Sequence, residues 1–349
     1  MLSPAATIAF VPREQLGTTQ RSLETLYERT KDPFELICVD GGSPPAIQRY
    51  LEQAAHRRQF TLLRTDSFLT PNQARNIAAE RVRTRYVIFV DNDVMVGQNF
   101  LSPLVQCAQE TGAWVVGPLY FELEPEADRI HMYGGECRIE IRPDGSRDLV
   151  ERHRLAHKRL TDVPSDFRFE REETELIEFH TVLVDMEVFR RLGPLDEGLL
   201  CTAEHADLCL MVRQAGGRVF LEPRSRITYV PPKQLSGVDS DYFRLRWSEA
   251  WSIATRNRLR QKWNLPSDCP GLQLSDFWTR SHRRHAINWL PSLRRWFGRK
   301  LGHWLEKHVV GPCEVSANRR QFPVSNYSVV KRPEVKVVYQ PLSSERRIA

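Results

Sequence analysis

Short apolar runs alternate with amphipathic stretches over the first quarter of the chain. The apolar runs end at turn residues, which is typical of buried strands, and they cover residues 6–11, 34–39, 60–63 and 85–90. The stretches between them carry apolar side chains on one helical face, and they cover residues 18–27, 47–56 and 71–81. This order predicts an α/β fold in which helices cover both faces of a mainly parallel sheet.

The pattern is less regular further along. Strands are predicted at 114–121, 176–184, 218–221 and 226–230, and a helix within 199–215 that ends at two glycines. Residues 129–160 are polar, with a turn at 143–145, and are predicted to form an excursion or a flexible loop over the site.

Two prolines at 231–232 mark the predicted domain boundary. Residues 1–232 form the predicted α/β domain. Residues 233–349 form a basic, mainly helical C-terminal extension, with helices at 242–263 and 291–309 and a polar, extended tail from residue 318.

Polar groups follow three predicted strands, where α/β sheets bind their ligands. They are residues 12–14, 40–43 and 91–93. Asp91 and Asp93 follow a wholly apolar run, and two carboxylates there can converge on Mg²⁺ or Mn²⁺. Such a metal neutralises a diphosphate leaving group. The alternative is a plain turn, in which Asp and Asn are common.

Composition fits a folded protein without a membrane span. The chain has 349 residues, of which 41% are hydrophobic and 27% charged. No run approaches the ~20 apolar residues of a membrane helix, no signal peptide is recognisable, and the seven cysteines show no zinc spacing. We therefore expect a cytoplasmic protein with reduced cysteines.

The net charge of +6 is concentrated in the extension. Residues 278–308 combine four tryptophans with many basic residues. One interpretation is an interfacial helix on an anionic membrane, which would put the protein at the inner face of that membrane. The favoured alternative is a helix that packs its aromatic stripe on the catalytic domain. Nucleic-acid binding is not expected, because no recognised module accompanies the charge.

The sequence resembles the family 2 glycosyltransferases, which have the GT-A fold, a Rossmann-like sheet. The resemblance covers about two thirds of the chain and rests on the order and spacing of motifs. These are VDGGS at 39–43, ARN at 74–76, VIFVDND at 87–93, LGPLDEGL at 192–199 and EHADLCLMVRQAGGRVFLEP at 204–223.

The resemblance implies a site for a nucleoside diphosphate sugar. It places Asp40 at the nucleobase and Arg75 near the base and phosphates, with Asn76 ordering that loop. It places Asp91 at the ribose and metal, and Asp93 at the metal. The donor-binding set is completed by Pro12, Glu14 and Asn92. An Asx-turn for Asp40 and a solvated helix face for Arg75 are the structural alternatives.

An inverting transferase also needs a general base. The family supplies an Asp within Glu-Asp-x-Asp, whereas this chain reads Glu204-His205-Ala206-Asp207. Glu204 is the preferred candidate, with Asp207 and His205 behind it, and stabilisation of a helix N-terminus is the alternative role for the two acids. Tyr229 stands where the family often has a metal-binding His, so weak metal affinity without nucleotide is expected.

The predicted function is metal-assisted, inverting transfer of a sugar to an acceptor hydroxyl. The acceptor would be a glycan or lipid-linked molecule, in polysaccharide or glycoconjugate biosynthesis. A nucleotidyltransferase would need a Gly-rich, basic loop after the first strand, and residues 11–14 do not supply one. A degenerate transferase that only binds a sugar nucleotide or glycan stays open.

Overall fold

The computed structural model describes residues 4–341 except 234, 236, 328 and 329. Its centre is a mixed β-sheet built from the apolar runs. The strands are β1 (Ala6–Val11), β2 (Glu35–Gly41), β3 (Thr61–Thr65), β4 (Tyr86–Asp91), β5 (Val94–Val96), β6 (Val115–Glu122), β7 (Arg129–Met132), β8 (Gly135–Ile141), β9 (Arg147–His153), β10 (Glu172–Glu173), β11 (Thr181–Asp185), β12 (Val219–Tyr229) and β13 (Lys336–Tyr339).

The main sheet has the order β10-β12-β6-β11-β4-β1-β2-β3-β13. Strands β4, β1, β2 and β3 are mutually parallel, as are β6 and β12, whereas β11 runs antiparallel between these two groups. Every residue of β1 and β4 is buried, so both faces of the sheet are covered. The register places Val11 beside Asp91. The polar ends of β1 and β4 therefore lie together.

Helices cover the sheet and continue into the extension. They are α1 (Thr19–Arg29), α2 (Pro45–Arg58), α3 (Pro71–Ala79), α4 (Leu101–Thr111), α5 (Glu187–Leu192), α6 (Glu204–Gln214), α7 (Gly237–Arg246), α8 (Glu249–Trp263), α9 (Pro270–His285), α10 (Leu290–Leu305) and α11 (Gly311–Gln321). Helix α3 begins with a capping box of Thr70 and Gln73 around Pro71, which fixes the predicted start. The predicted fold class, a GT-A-type sheet with a helical C-terminal region, is confirmed.

Of the two predicted alternatives for residues 129–160, an excursion or a flexible loop, the structure has an ordered excursion. Strand β7 joins the sheet beside β6, and β8 and β9 pair as an antiparallel hairpin around the predicted turn. Cys137 and Leu149 of this hairpin are buried. These two apolar side chains anchor a segment that is otherwise polar.

Three further boundaries differ from the prediction. Residues 219–229 form one strand with a register shift between Glu222 and Arg226, where two strands were predicted. The helix predicted at 242–263 is interrupted before Ser248, whose hydroxyl accepts from the Trp251 amide and caps α8.

Part of the predicted extended tail is structured. It begins inside α11, and residues 336–339 pair with β3 at the sheet edge. Residues 342–349 lie outside the described part of the chain. The domain boundary at residue 232 stays a prediction.

The extension holds the described helices α7 to α11. Among the described residues, no helix is long and apolar enough to cross a bilayer. All seven cysteines are free, and six of them are buried. The favoured packing of the aromatic stripe is not found, since Trp296 and Trp304 are 64% and 53% exposed.

Candidate active site

The acidic pair lies at the end of β4 in a fully buried position. Asp91 is the last residue of β4, and Asp91 and Asp93 both have an exposure of 0%. Asn92 faces the other way. Its amide donates to the Gln15 carbonyl (2.8 Å), and its oxygen accepts from the Arg13 amide (2.7 Å). Asn92 therefore holds the turn rather than offering a ligand atom.

Two arginines hold Asp91. Arg13 donates to one carboxylate oxygen at 3.0 Å, and Arg75 donates to the other at 3.1 Å. Arg75 is buried and lies over the Phe179 ring, 4.0 Å from its centroid. The solvated face considered for Arg75 is therefore excluded. Guanidinium groups of this kind can also bind phosphate oxygens.

Asp93 has no such partner. Neither of its carboxylate oxygens has a hydrogen-bond partner among the described residues. Burial and the neighbouring Asp91 carboxylate raise the pKa of Asp93 well above its usual value. A buried carboxylate without donors is rare in folded proteins because its desolvation is uncompensated.

His180 lies beside the acidic pair, just before β11. Its Nδ1 is 3.7 Å from a carboxylate oxygen of Asp91 and has no hydrogen-bond partner in the described structure. Burial lowers the pKa of His180 well below its usual value, so the ring is neutral. One ligand atom each from Asp91, Asp93 and His180 lie within 4.8 Å of one another.

This triad fits a divalent cation. Two carboxylates and a neutral imidazole are ligands of Mn²⁺ and similar metals. The unpartnered atoms of Asp93 and His180 are those that a cation would satisfy. The sequence pointed to Asp91 and Asp93 but missed His180, which is distant along the chain. The only local signal is a polar residue directly before an apolar strand.

Tyr229, which raised doubt about the metal, has another partner. Its hydroxyl donates to Glu14 at 3.3 Å, and its ring stacks on His180 with centroids 4.1 Å apart. Position 229 therefore has no imidazole, but the imidazole of His180, which stacks on Tyr229, lies beside the acidic pair. The stacking also fixes the orientation of His180.

Glu204 belongs to the same buried network. It is the first residue of α6, and it lies 3.4 Å from Arg246 and 4.0 Å from Arg75. Burial opposes ionisation, but Arg246 and Arg75 together lower the pKa of Glu204 below its usual value. Glu204 is therefore a carboxylate that shares Arg75 with Asp91.

Asp207 and His205 pair with side chains outside the network of Asp91 and Glu204. Asp207 accepts from Lys262 at 2.6 Å and from the Trp263 indole at 2.8 Å, which ties α6 to α8. His205 has Glu151 at 3.0 Å on one ring nitrogen and Glu178 at 3.5 Å on the other. With an acceptor at each nitrogen, the imidazole is suited to remain protonated.

The pKa shifts in the cluster of His205, Glu151 and Glu178 agree with a protonated His205. Despite burial, Glu178 and Glu151 raise the pKa of His205 to about 9. In turn, despite burial, His205 and His153 lower the pKa of Glu178 to about 2. A protonated His205 cannot accept a proton, which argues against it as the general base.

Asp40, Asn76 and Pro12 were also predicted for the donor site, and each contacts residues outside the network of Asp91 and Glu204. Asp40 accepts from the Ser43 amide (2.9 Å) and from Arg64, as an Asx-turn would. Asn76 binds the backbone of Leu195 in both directions at 2.9 Å and holds the loop before α6. Pro12 packs on Gly41, where an added Cβ would meet its ring at 3.1 Å.

Helix α7 covers the acidic residues. Arg246 at its end lies 3.3 Å from Glu14 and 3.4 Å from Glu204. Near its start, Asp239 accepts from the Leu16 amide at 2.8 Å, and Tyr242 donates to the Leu69 carbonyl at 2.9 Å. Because Asp91 and Asp93 have no exposed surface, the site is closed in this structure.

The buried centre contains four carboxylates and three guanidinium groups. The acids are Glu14, Asp91, Asp93 and Glu204, and the bases are Arg13, Arg75 and Arg246. His180 adds no charge when neutral. The ionised centre would carry one excess negative charge, which favours a bound cation.

A sheet of this order with an acidic pair after β4 defines the GT-A class of nucleotide-sugar transferase folds. The chain matches the family described as "Glycosyl transferase family 2" over residues 13–165. A crystal structure of GalNAc-T7 with UDP, GalNAc and Mn²⁺ has the same fold, with a TM-score of 0.50 and 16% identity over 84% of this chain and 58% of that one.

Two curated relatives show how far the sequence similarity extends. Polypeptide N-acetylgalactosaminyltransferase 9 of Macaca fascicularis is 30% identical over 299 residues, which are 78% of this chain and 46% of that protein. Polypeptide N-acetylgalactosaminyltransferase 12 of Drosophila melanogaster, whose name marks it as suspected to be inactive, is 25% identical over 70% of this chain and 43% of its own length. The chain thus spans less than half the length of these relatives.

Proposed function

We propose that the protein transfers a sugar from a nucleoside diphosphate sugar to an acceptor hydroxyl with inversion at the anomeric carbon. The observation that carries this proposal is the buried Asp93 carboxylate, which has no hydrogen-bond partner among the described residues and faces Asp91 and His180. A fold that needed only a turn after β4 would not keep a buried carboxyl group without a hydrogen-bond partner there.

Asp91, Asp93 and His180 would hold the divalent cation, Mn²⁺ in preference to Mg²⁺ because one ligand is nitrogen. When bound, this ion supplies Lewis-acid stabilisation of the departing diphosphate. Arg13 and Arg75, which already contact Asp91, bind phosphate oxygens.

Glu204 is the proposed general base. It accepts the proton of the acceptor hydroxyl while the oxygen attacks the anomeric carbon and the bond from that carbon to the diphosphate breaks. In the closed structure, Arg246 and Arg75 lower its proton affinity. Negative charge on a bound diphosphate competes for these guanidinium groups, so donor binding raises the basicity of Glu204.

The names of the relatives suggest which donor to test first. Both are named polypeptide N-acetylgalactosaminyltransferases, and the name of the Drosophila melanogaster protein marks it as suspected to be inactive. We propose UDP-N-acetylgalactosamine as the first donor, followed by other UDP- and GDP-sugars. A glycan, a lipid-linked molecule or a polypeptide hydroxyl would be the acceptor.

A second candidate is a degenerate transferase that binds its ligand without turnover. The closed site favours it, since Arg246 lies 3.4 Å from the candidate base and Asp91 and Asp93 are fully buried. Such a protein would bind a sugar nucleotide with Mn²⁺ but release no nucleoside diphosphate.

Turnover separates the two candidates. Release of UDP or GDP is measured from each donor with Mn²⁺ or EDTA, for the wild type, Asp93→Asn and Asp185→Asn. Asp185 is a matched control, because it is also a buried carboxylate but accepts from Arg85 at 3.2 Å. We expect Mn²⁺-dependent release that is lost only in Asp93→Asn. Binding by calorimetry without release would favour the degenerate protein, and release unchanged in Asp93→Asn would overturn the assigned site.

A further inference from the structure

Helices α9 and α10 expose an unusual number of large apolar side chains. On α9 they recur at three- and four-residue spacing, and on α10 only Leu290, Leu293 and Gly302 are buried among the described residues. The exposed fractions range from 45% to 64%, and the side chains are Leu274, Phe277, Trp278, Trp289, Trp296, Phe297, Leu301 and Trp304. Soluble monomers seldom expose so many apolar side chains in one region.

Basic side chains are interleaved with these aromatic residues. Arg294, Arg295, Arg299 and Lys300 of α10 are all exposed. Of these four, only Arg294 has an ion-pair partner in the described structure, the Glu306 carboxylate at 3.0 Å. The remaining positive charges face solvent together with the tryptophans.

A basic groove adjoins α10. It lies between α9, α11 and the turn that links α10 to α11, and one carboxylate, Glu249, is among its lining residues. Its cations are Arg280, Arg284, Lys307, Arg319 and Arg320. Arg319 pairs with Glu249 at 2.6 Å and Arg284 lies 3.9 Å from Glu306, which leaves Arg280, Lys307 and Arg320 in excess. Lys307 lies in the turn directly after α10, so the groove continues the charged surface of that helix.

We propose that α10 and the basic groove form a binding surface for an anionic lipid bilayer. Tryptophan is suited to the boundary between headgroups and acyl chains, because its ring is apolar and its indole N–H is polar. Exposed lysines and arginines on the same helix match the negative charge of phospholipid phosphates. The groove accepts lipid phosphate groups beside the inserted aromatic rings.

A protein partner would fit this surface less well. The cores of protein interfaces are depleted in charged residues, whereas here cations are interleaved with aromatics on both sides of the break in α10 at Gly298. The proposal does not depend on sugar transfer, and it concerns residues outside the acidic site.

Vesicle binding tests the proposal directly. The full chain is mixed with phosphatidylcholine vesicles, with or without phosphatidylglycerol, and binding is measured by sedimentation and by tryptophan fluorescence. We expect binding and a blue shift only with phosphatidylglycerol, both weakened by high salt because exposed charges are screened.

Variants assign the binding to the surface. We expect Trp296→Ser with Trp304→Ser, and separately Arg299→Gln with Lys300→Gln, to weaken binding about tenfold or more. Ile141→Ser is the matched control, since Ile141 is 74% exposed but lies on the β8–β9 hairpin. Thermal unfolding checks that each variant is folded. We expect all of them to fold, because the substituted residues are exposed.

Three results would overturn the proposal. They are no binding to the phosphatidylglycerol vesicles, equal binding to neutral vesicles, and binding that the Trp296 and Trp304 substitutions leave unchanged. The wild-type measurement alone can refute it, so the test does not depend on any variant folding.

Discussion

Asp93→Asn is expected to stabilise the metal-free protein while removing its metal binding. The Asp93 carboxylate is fully buried, its oxygens have no donor in the described structure, and it lies beside the Asp91 carboxylate. Leaving a buried polar group unsatisfied costs about 1–3 kcal/mol. The amide has almost the same shape, cannot ionise and carries an N–H donor for the neighbouring Asp91 carboxylate, so it should recover a large part of that cost.

The assay is thermal unfolding at neutral pH in EDTA and then in Mn²⁺. A gain of about 1–2 kcal/mol raises Tm by roughly 2–8 °C, since each kcal/mol shifts a large domain by about 2–4 °C. Mn²⁺ at a hundred times its Kd should stabilise the wild type by about 2.7 kcal/mol and Asp93→Asn not at all. The substituted protein is thus the more stable without metal and the less responsive to it.

Asp185→Asn is the control for this experiment. Asp185 accepts from Arg85 at 3.2 Å and from the Glu187 amide at 2.9 Å, so its amide variant should lose about 1 kcal/mol and still respond to Mn²⁺. If Asp93→Asn were destabilised like Asp185→Asn in EDTA, the carboxylate would have a partner and the reasoning would be refuted. If Asp93→Asn kept the full response to Mn²⁺, the cation would bind elsewhere.

Three further outcomes are expected. Glu204→Gln should lower kcat by about 10²–10⁴-fold in a transfer assay because the proton acceptor is lost, and an unchanged kcat would exclude it as the base. Lys262→Met should cost about 1–3 kcal/mol in urea unfolding, because it removes a charged donor from the buried Asp207 carboxylate. The raised pKa of His205, about 9, stabilises the fold fully below its unfolded value near 6.5, and this contribution is lost as the pH rises through 9. It amounts to up to about 3 kcal/mol, and unfolding measured from pH 6 to 10 should show the decline in the wild type but not in His205→Gln.

The pattern of apolar positions predicted the central strands of the sheet but not every other strand. Strands β1 and β4 are fully buried, and such strands are apolar throughout, so they were recognisable. The hairpin of β8 and β9 was missed because only a few of its side chains are buried and no regular alternation marks it. Strand β13 was missed because its partner, β3, is far away in sequence.

The residues of the candidate site also divide into those that the sequence predicted and those that it did not. Asp91 and Asp93 were predicted because a single strand places both at its end. His180 and Arg246 could not be predicted, because β11 and α7 bring them there from distant parts of the chain. The structure also distinguished the three base candidates, because Asp207 and His205 have pairing partners. These partners, Trp263 for Asp207 and Glu151 for His205, are distant in sequence.

The sequence by itself determined the α/β class, the order of the first strands and the place of the acidic pair, because strand periodicity and strand ends are local properties. Only the tertiary structure decided which carboxylates are paired, which one is left without a donor, and that Arg246 of α7 lies beside two of them. The physical reason is that desolvation and ion pairing depend on distances between groups far apart in the chain, and folding alone sets these distances.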